Sequence, residues 1–268
     1  MVDAVPIRDF TQKDLEALRD LAVRAGQLAL QLRSSLHPQL KGDGTLVTEG
    51  DVRAEELLRE GLSELYPGVA IVGEESGTSG GVGDLAFFLD PVDGTLAYAR
   101  GSPTWAVCLG VLMAGCPYAG AVVVPALGQT WWGMVGFGAY CGGRQVRRKS
   151  TSLGPNALIS ITTGALRRFG PPPTHLGHVR CHGSIAWEMM LCADNQVDAA
   201  LLARWKPWDV VGPAAILLAA GGVILAADGA PVPSWTGDYR DELVAGGSNL
   251  SELVPAVIPG WAAPTQAE

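Results

Sequence analysis

The sequence predicts a mixed chain, α+β or α/β, in which helices lie against sheets. Three observations carry this expectation. Two long helical patterns occupy the first third, three apolar runs with short Gly- or Pro-containing connections follow between residues 105 and 135, and strand and helix patterns alternate beyond about residue 154. The first helix is predicted from about residue 12 to 34. The second, from about 51 to 65, carries Ala54, Leu57, Leu58, Leu62 and Leu65 at spacings of one to four, so the two should lie side by side on their apolar faces.

The remaining elements follow in order. Val69, Ala70, Ile71 and Val72 read as a buried strand running into Gly73-Glu74-Glu75-Ser76. Leu85 to Leu89 reads as another, and Pro91 with Gly94 is expected to turn the chain as it leaves the sheet through Asp90-Pro91-Val92-Asp93-Gly94-Thr95. Residues 105–113, 118–125 and 130–135 form an antiparallel meander. The segment 145–154 breaks the pattern and divides the chain into an N-terminal half, 1–148, and a C-terminal half, 149–268. In the second half, residues 158–162 and 198–203 read as strands, and Ser184 caps a helix through Trp187, Met190 and Leu191. A helix from about 210 to 220 stops at Gly221-Gly222, and 223–226 forms the strand after it.

Composition narrows the function classes. With 268 residues, 48% of them hydrophobic, the chain can bury a sizeable core in one large domain or two modest ones. A formal net charge of −8 argues against a nucleic-acid polymer held on a basic surface, and the basic cluster Arg147-Arg148-Lys149 reads as a solvated loop between the halves. Cys108, Cys116, Cys141, Cys181 and Cys192 include no CxxC pair, which speaks against zinc and against a disulfide framework; Cys108 and Cys192 sit in apolar patterns as core residues. Free thiols fit a reducing cytoplasm. His175, His178 and His182 have ligand-like spacing but lie beside Pro171-Pro172-Pro173 and Gly177, which make a loop of the segment. Asp3, Arg8, Asp9, Lys13 and Asp14 stand where a secretory signal needs an apolar core. Residues 210–227 carry no charge, yet Pro213 and Gly221-Gly222 divide them, so they read as core and not as a membrane span.

Chemistry concentrates in the acidic segments. Asp90 and Asp93 would face one pocket, where carboxylate oxygens suit Mg²⁺, Mn²⁺ or Ca²⁺, and Thr95 adds a hydroxyl beside exposed backbone N–H groups. Phosphate chemistry is the natural use of such a pocket. The alternative is an Asx-type turn whose carboxylates satisfy only local amides. Thr48 and Asp51 are equally a capping box or a functional pair, and Asp209 in Trp208-Asp209-Val210-Val211-Gly212 a helix N-cap or a further acidic ligand.

Taken as an ordered set, Leu46-Val47-Thr48-(x)2-Asp51, Gly73-Glu74-Glu75, the segment from Asp90 to Thr95, and Trp208-Asp209 trailed by Gly221-Gly222 resemble the inositol monophosphatase family. These are Mg²⁺-dependent, lithium-sensitive phosphomonoesterases, that is, phosphoric monoester hydrolases. The resemblance spans most of the chain and implies a layered α/β/α/β/α sandwich with its site between the halves. It implies that Glu74, Asp90 and the carbonyl of Val92 hold a first cation and that Asp90, Asp93 and Asp209 hold a second, with two or three Mg²⁺ in all and Mn²⁺ as a substitute. Asp51 and Thr95, supported by Thr48 and with Glu74 as the fourth catalytic position, would orient and deprotonate the attacking water. Asp93, Gly94, Thr95, Ser184 and Asp209 would meet the substrate, the amides of Gly94 and Thr95 on its phosphate. A cytoplasmic homodimer acting on a small phosphorylated metabolite is implied, with neither nucleic-acid polymer nor membrane as partner. Trp105, Trp131, Trp132 and Trp187 read first as core, with the dimer interface as their alternative place.

The substrate reading departs from the family pattern at one place. In the inositol enzymes a glutamate seven residues before the helix-opening aspartate contacts the sugar-alcohol hydroxyls; the same count from Asp209 reaches Leu202. Arg204, Trp205 and Lys206 stand between, suited either to a more charged or aromatic substrate or to a solvated loop. Leu96-Ala97-Tyr98 follows the acidic hexapeptide where those enzymes carry Thr-Asn-Phe, and Gly183-Ser184-Ile185-Ala186 matches their substrate-side helix start approximately. The expected activity is hydrolysis of inositol monophosphate or a similar small polyol or sugar phosphate by metal-activated water. Histidinol phosphate and 3′-phosphonucleotides are alternative substrates for the same metal core. A catalytically silent binding protein is the alternative of another class, and the presence of Glu74, Asp90, Asp93, Thr95 and Asp209 together argues against it.

Overall fold

Leu15, Leu18, Leu21, Ala22, Ala25 and Ala29 repeat at helical spacing and are buried along one face of α1 (Gln12–Leu32), which starts at Thr11, where the Asp14 carboxylate accepts the Thr11 N–H at 2.7 Å. A small hairpin, β1 (Gln39–Leu40) and β2 (Leu46–Val47), leads to α2 (Glu49–Leu65), which packs against α1 through Ala54, Leu58 and Leu62. In this computed structural model, residues 10–254 are described except 36, 43, 82, 172 and 237–241.

Among the described residues the main sheet has eight strands: β3 (Ala70–Gly73), β4 (Gly77–Ser79), β5 (Leu85–Asp93), β6 (Ala106–Met113), β7 (Cys116–Val124), β8 (Gln129–Met134), β9 (Gly138–Cys141) and β10 (Arg144–Val146). Their spatial order is β10-β9-β8-β7-β6-β5-β3-β4, with β3 and β5 parallel and the other pairs antiparallel. The meander read from the sequence supplies β6 to β8; the hairpin of β9 and β10 that prolongs it is an addition. The second sheet contains β11 (Leu158–Ile161), β12 (His178–Arg180), β13 (Ala199–Leu202), β14 (Val223–Ala226) and β15 (Leu243–Gly246), in the order β12-β11-β13-β15-β14. The helices α3 (Thr95–Ala99), α4 (Thr163–Phe169), α5 (Ile185–Ala193) and α6 (Pro207–Ala219) lie between these strands along the chain.

Strand alternation produces the layers. Along β5, Phe87 and Leu89 point to α1 and α2, while Phe88 points to the opposite face. That opposite face joins Cys108 and Trp131 to Trp187 and Met190 of α5, to Val210 and Ala214 of α6, and to Ala200, Leu202 and Ala245 of the second sheet. The far face of the second sheet buries Ile159, Ile161, Leu201 and Val244 against Ala165 of α4. The result is an α/β/α/β/α sandwich. Its central helices, α5 and α6, are apolar on all faces apart from Glu188 and Asp209 in their first turns, because each is covered by a sheet on two sides. This accounts for the uncharged run of residues 210–227, and among the described residues no helix is long and apolar enough to cross a membrane.

One close contact sets the height of α6 above the main sheet. Gly110 of β6 and Gly120 of β7 are register partners, and a Cβ on either would lie 2.4 Å from the backbone of Gly212 in α6. Backbone therefore meets backbone at this crossing.

Three expectations need correction. Pro91 does not end β5: the ladder with β6 jumps from Asp90 opposite Cys108 to Asp93 opposite Ala106, a bulge that accommodates a residue without an N–H, and the chain turns only at Gly94, where φ is +93°. Asp209 is not the N-cap of α6 but its third residue, accepting the N–H of Lys206, the actual cap, at 2.8 Å. Arg148 is no solvated loop residue, since its guanidinium donates to Asn195 Oδ1 at 2.8 Å and to the carbonyl of Asp198. Core packing, the role the sequence favours for Trp105, Trp131, Trp132 and Trp187, is the one the fold shows: all four are buried within the chain, Trp131 edge-on to Trp187 at 5.6 Å.

Candidate metal centre

The bulge in β5 places Asp90 and Asp93 on one side of the strand end, and the first turn of α6 brings Asp209 to meet them. One carboxylate oxygen from each lies within 4.8 Å of the others, and all three residues are buried. Local hydrogen bonds use only part of each carboxylate. Asp90 Oδ1 accepts the Val92 N–H at 2.9 Å, which is the Asx turn read from the sequence, and Asp93 Oδ2 accepts the Ser184 hydroxyl at 2.7 Å and the Ala186 N–H at 2.6 Å. The Asx turn at Asp90 therefore does not exclude a ligand role, because a carboxylate has lone pairs for both.

The electrostatics of the three are unfavourable without a cation. Burial, then the charges of Glu74, Asp93 and Asp209, pushes Asp90 well above the ordinary carboxylate range. Asp209 is raised likewise by burial and by Asp93. Burial pushes Asp93 up to about 6 although the Ser184 and Ala186 hydrogen bonds pull it down. An all-oxygen set of acidic ligands crowded in this way is suited to a hard divalent cation, whose charge would reverse each of these shifts. Glu74 stands at the edge of the group, where Lys41 Nζ reaches it at 3.0 Å and Glu75 at 2.6 Å. Burial lowers the pKa of Lys41, but Glu75 and Glu74 outweigh it and leave the ammonium more firmly protonated than usual.

A cleft of about 420 Å³ opens over this group, lined by Glu74, Asp90, Val92, Asp93, Gly94, Thr95 and Asp209, with Gly44, Thr45, Leu46, Leu96 and Gly183 at its other walls. Asp51 and Thr48 do not line it. They stand behind Thr95, whose Oγ1 lies 3.3 Å from Asp51 Oδ1 and 3.1 Å from the Val92 carbonyl, and the Thr48 N–H and hydroxyl hold the other oxygen, Asp51 Oδ2. Burial raises Asp51 to about 6 against the pull of Thr48. Ser184 is also behind the cleft, fixing Asp93 while its Oγ accepts the Trp187 N–H at 3.1 Å to cap α5.

Other readings fare differently. Leu202 ends β13 fully buried in the core, Trp205 is buried and faces Trp235, and Arg204 and Lys206 are exposed. Trp205 is thus not an aromatic platform for a substrate. His175, His178 and His182 join no metal-type cluster among the described residues, and Cys108 and Cys192 are core thiols. Sequence reasoning missed Lys41, a lone lysine with no motif around it. It also missed Glu55, buried beneath the Glu74 turn; its spacing of four from Arg59 reads as an ordinary helix-surface pair.

The family model described as the inositol monophosphatase family matches residues 11–258. A fructose-1,6-bisphosphatase/inositol-1-monophosphatase of Aquifex aeolicus is 30% identical over 224 residues, covering 79% of this chain and 85% of that protein. A histidinol-phosphatase of Streptomyces coelicolor is 32% identical over 231 residues, covering 78% and 86%. The solved structure of an inositol monophosphatase from Anabaena (Nostoc) sp. PCC 7120 superposes with a TM-score of 0.78 at 28% identity over 91% of this chain and 95% of that one.

Proposed function

The chain belongs to the inositol monophosphatase family and is a phosphoric monoester hydrolase, and from that premise we propose that it hydrolyses inositol monophosphate or a similar small polyol or sugar phosphate with Mg²⁺. The observation that carries this reading is the buried group of Asp90, Asp93 and Asp209 beside the Thr95–Asp51 pair in one cleft. Glu74, Asp90, the Val92 carbonyl, Asp93 and Asp209 are the proposed ligands for two or three Mg²⁺, with Mn²⁺ able to replace it. Bound there, the cations supply Lewis-acid stabilisation of the attacking and leaving oxygens.

The chain's own groups do the rest. Thr95 Oγ1 orients the attacking water and passes its proton toward Asp51 Oδ1, the carboxylate oxygen 3.3 Å away that accepts it. Thr48 keeps Asp51 in place through its two hydrogen bonds. The amides of Gly94 and Thr95 are assigned to the substrate phosphate, with Asp93 and Asp209 at the leaving-group side. We assign the enzyme to the cytoplasm as a homodimer inhibited by lithium.

Histidinol phosphate is the second reading. It is favoured by Leu202, a buried apolar residue where a polyol-binding carboxylate would stand, and by the similarity to a histidinol-phosphatase. Phosphate release from inositol 1-phosphate, histidinol phosphate, 3′-phosphoadenosine 5′-phosphate and fructose 1,6-bisphosphate, each with Mg²⁺ and with EDTA, tests both. A single preferred, EDTA-sensitive polyol or sugar phosphate supports the first reading, preference for histidinol phosphate replaces it with the second, and metal binding without turnover on any ester would point to a silent binding protein.

A further inference from the structure

Glu55 is a buried carboxylate that the chemistry above does not use. It lies on α2, fully shielded from solvent, and both of its oxygens face the turn after β3. Oε2 accepts the Glu75 N–H at 2.8 Å and Oε1 accepts the Ser76 N–H at 2.9 Å. Arg59, one helical turn later, donates Nε to Oε1 at 2.8 Å and spreads its other nitrogens over the Ile71 carbonyl at 3.4 Å, the Ser79 hydroxyl at 2.9 Å and the Gly77 carbonyl. The guanidinium thus ties both arms of the β3–β4 hairpin to α2, and the carboxylate grips its tip.

Glu74 sits at that tip. Its own N–H reaches back to the Leu89 carbonyl at 3.2 Å, so one bond to β5 and two at the next residues to Glu55 fix its backbone from both sides. Gly73 leaves the room this needs, because a Cβ there would fall 2.5 Å from Glu55 Oε1 and 2.6 Å from the Arg59 guanidinium. A carboxylate fully removed from water is costly unless hydrogen-bonded and paired, and Glu55 is both. The cost would have no structural return if the turn had only to close a short hairpin at the edge of the sheet.

We propose that Glu55, with Arg59, is a positioning residue: it holds the turn so that Glu74 faces Asp90 across the cleft, and it thereby sets the affinity of the site for a divalent cation. The proposal rests on the assignment of Glu74 as a ligand. Partners that orient a ligand are worth roughly 10–100-fold in metal affinity when removed. Glu55→Gln keeps the volume but offers one acceptor oxygen to three donors and turns an NH₂ toward them. Arg59→Lys keeps the charge and loses the fork that spans the hairpin.

The test is calorimetric titration of metal-free protein with Mn²⁺, with thermal unfolding and the Mg²⁺ dependence of ester hydrolysis recorded alongside. Expected for Glu55→Gln is Mn²⁺ binding weakened roughly 10-fold or more and a matching rise in half-activating Mg²⁺, while KM for the ester at saturating Mg²⁺ stays within about twofold and unfolding stays cooperative. Arg59→Lys should shift the same quantities in the same direction by less. Both variants, or Arg59→Lys alone if Glu55→Gln does not fold, binding Mn²⁺ as tightly as the unaltered protein would overturn the proposal. Failure of the unaltered protein to bind Mn²⁺ would instead overturn the metal-site reading beneath it.

Discussion

The Ser184 hydroxyl donates to Asp93 Oδ2 at 2.7 Å across 91 residues of chain, and the same oxygen atom of Ser184 accepts the Trp187 N–H at 3.1 Å. One side chain thus latches the end of β5 to the start of α5. The acidic centre and the helix layer between the sheets are held in register by a cap.

Ser184→Ala should therefore act on stability and on the site together. Loss of the cap should cost about 0.5–2 kcal/mol. Because the Ser184 hydrogen bond pulls the Asp93 pKa down, its loss should raise that pKa further and move the acidic limb of the pH–rate profile upward. Denaturant unfolding and a pH profile read the two effects. An unmoved acidic limb would separate Ser184 from the site.

On the proposed mechanism Thr95→Ala should lower turnover by roughly 10²-fold or more while changing Mn²⁺ affinity little, since the hydroxyl would pass a proton toward Asp51, 3.3 Å away, and neutralises no charge. Single-turnover hydrolysis and Mn²⁺ titration on the same variant give the comparison. Equal losses in both would make Thr95 a structural support of the cation site.

Metal-free protein should become less stable as pH rises. Asp51 and Asp93 are shifted up from 3.8 to about 6 in the folded chain, so between those values the folded state binds more protons than the unfolded one. This contribution is fully present below the unfolded pKa and is lost as pH rises through the folded one. Asp90 and Asp209, raised further, extend the window upward. A cation favours the ionised carboxylates, so the gap in melting temperature between Mg²⁺ and EDTA should be small near about pH 5 and large near about pH 8. A gap independent of pH would place the cation elsewhere.

Gly120→Ala should weaken the cation site from a distance. The added Cβ would meet the Gly212 carbonyl at 2.4 Å and push α6, with Asp209 one turn earlier, away from Asp90. A destabilisation of about 1–3 kcal/mol is expected from the overpacking, together with weaker Mn²⁺ binding. Gly143→Ala, where a Cβ meets open space, is the control and should change neither. Unaltered Mn²⁺ affinity in a destabilised Gly120→Ala would show that α6 yields without carrying Asp209 with it.

What was legible along the chain was what neighbouring residues decide among themselves. Thr48 and Asp51 lie three apart, close enough to satisfy each other's backbone at the start of α2. Val223 to Ala226, bounded by Gly221-Gly222, reads as a strand with the ends it has in the fold. Less legible was anything set by a partner far away. Pro91 reads as a stop, yet β6 accepts it at a bulge, and Arg148 reads as solvated until Asn195 and Asp198 come beside it.

The same division runs through the site. The sequence by itself determined where the candidate residues stand along the chain, because turn geometry, capping and strand periodicity confine Asp90, Asp93, Thr95 and Asp209 to element ends through local sterics and local hydrogen bonds. Only the tertiary structure decided that these ends converge, that Lys41 pairs with both Glu74 and Glu75, and that Glu55 lies under the Glu74 turn. Those relationships depend on sheet pairing and on the backbone contact of Gly110 and Gly120 with Gly212. Such contacts join segments up to about a hundred residues apart, and no property of either segment alone encodes the distance between them.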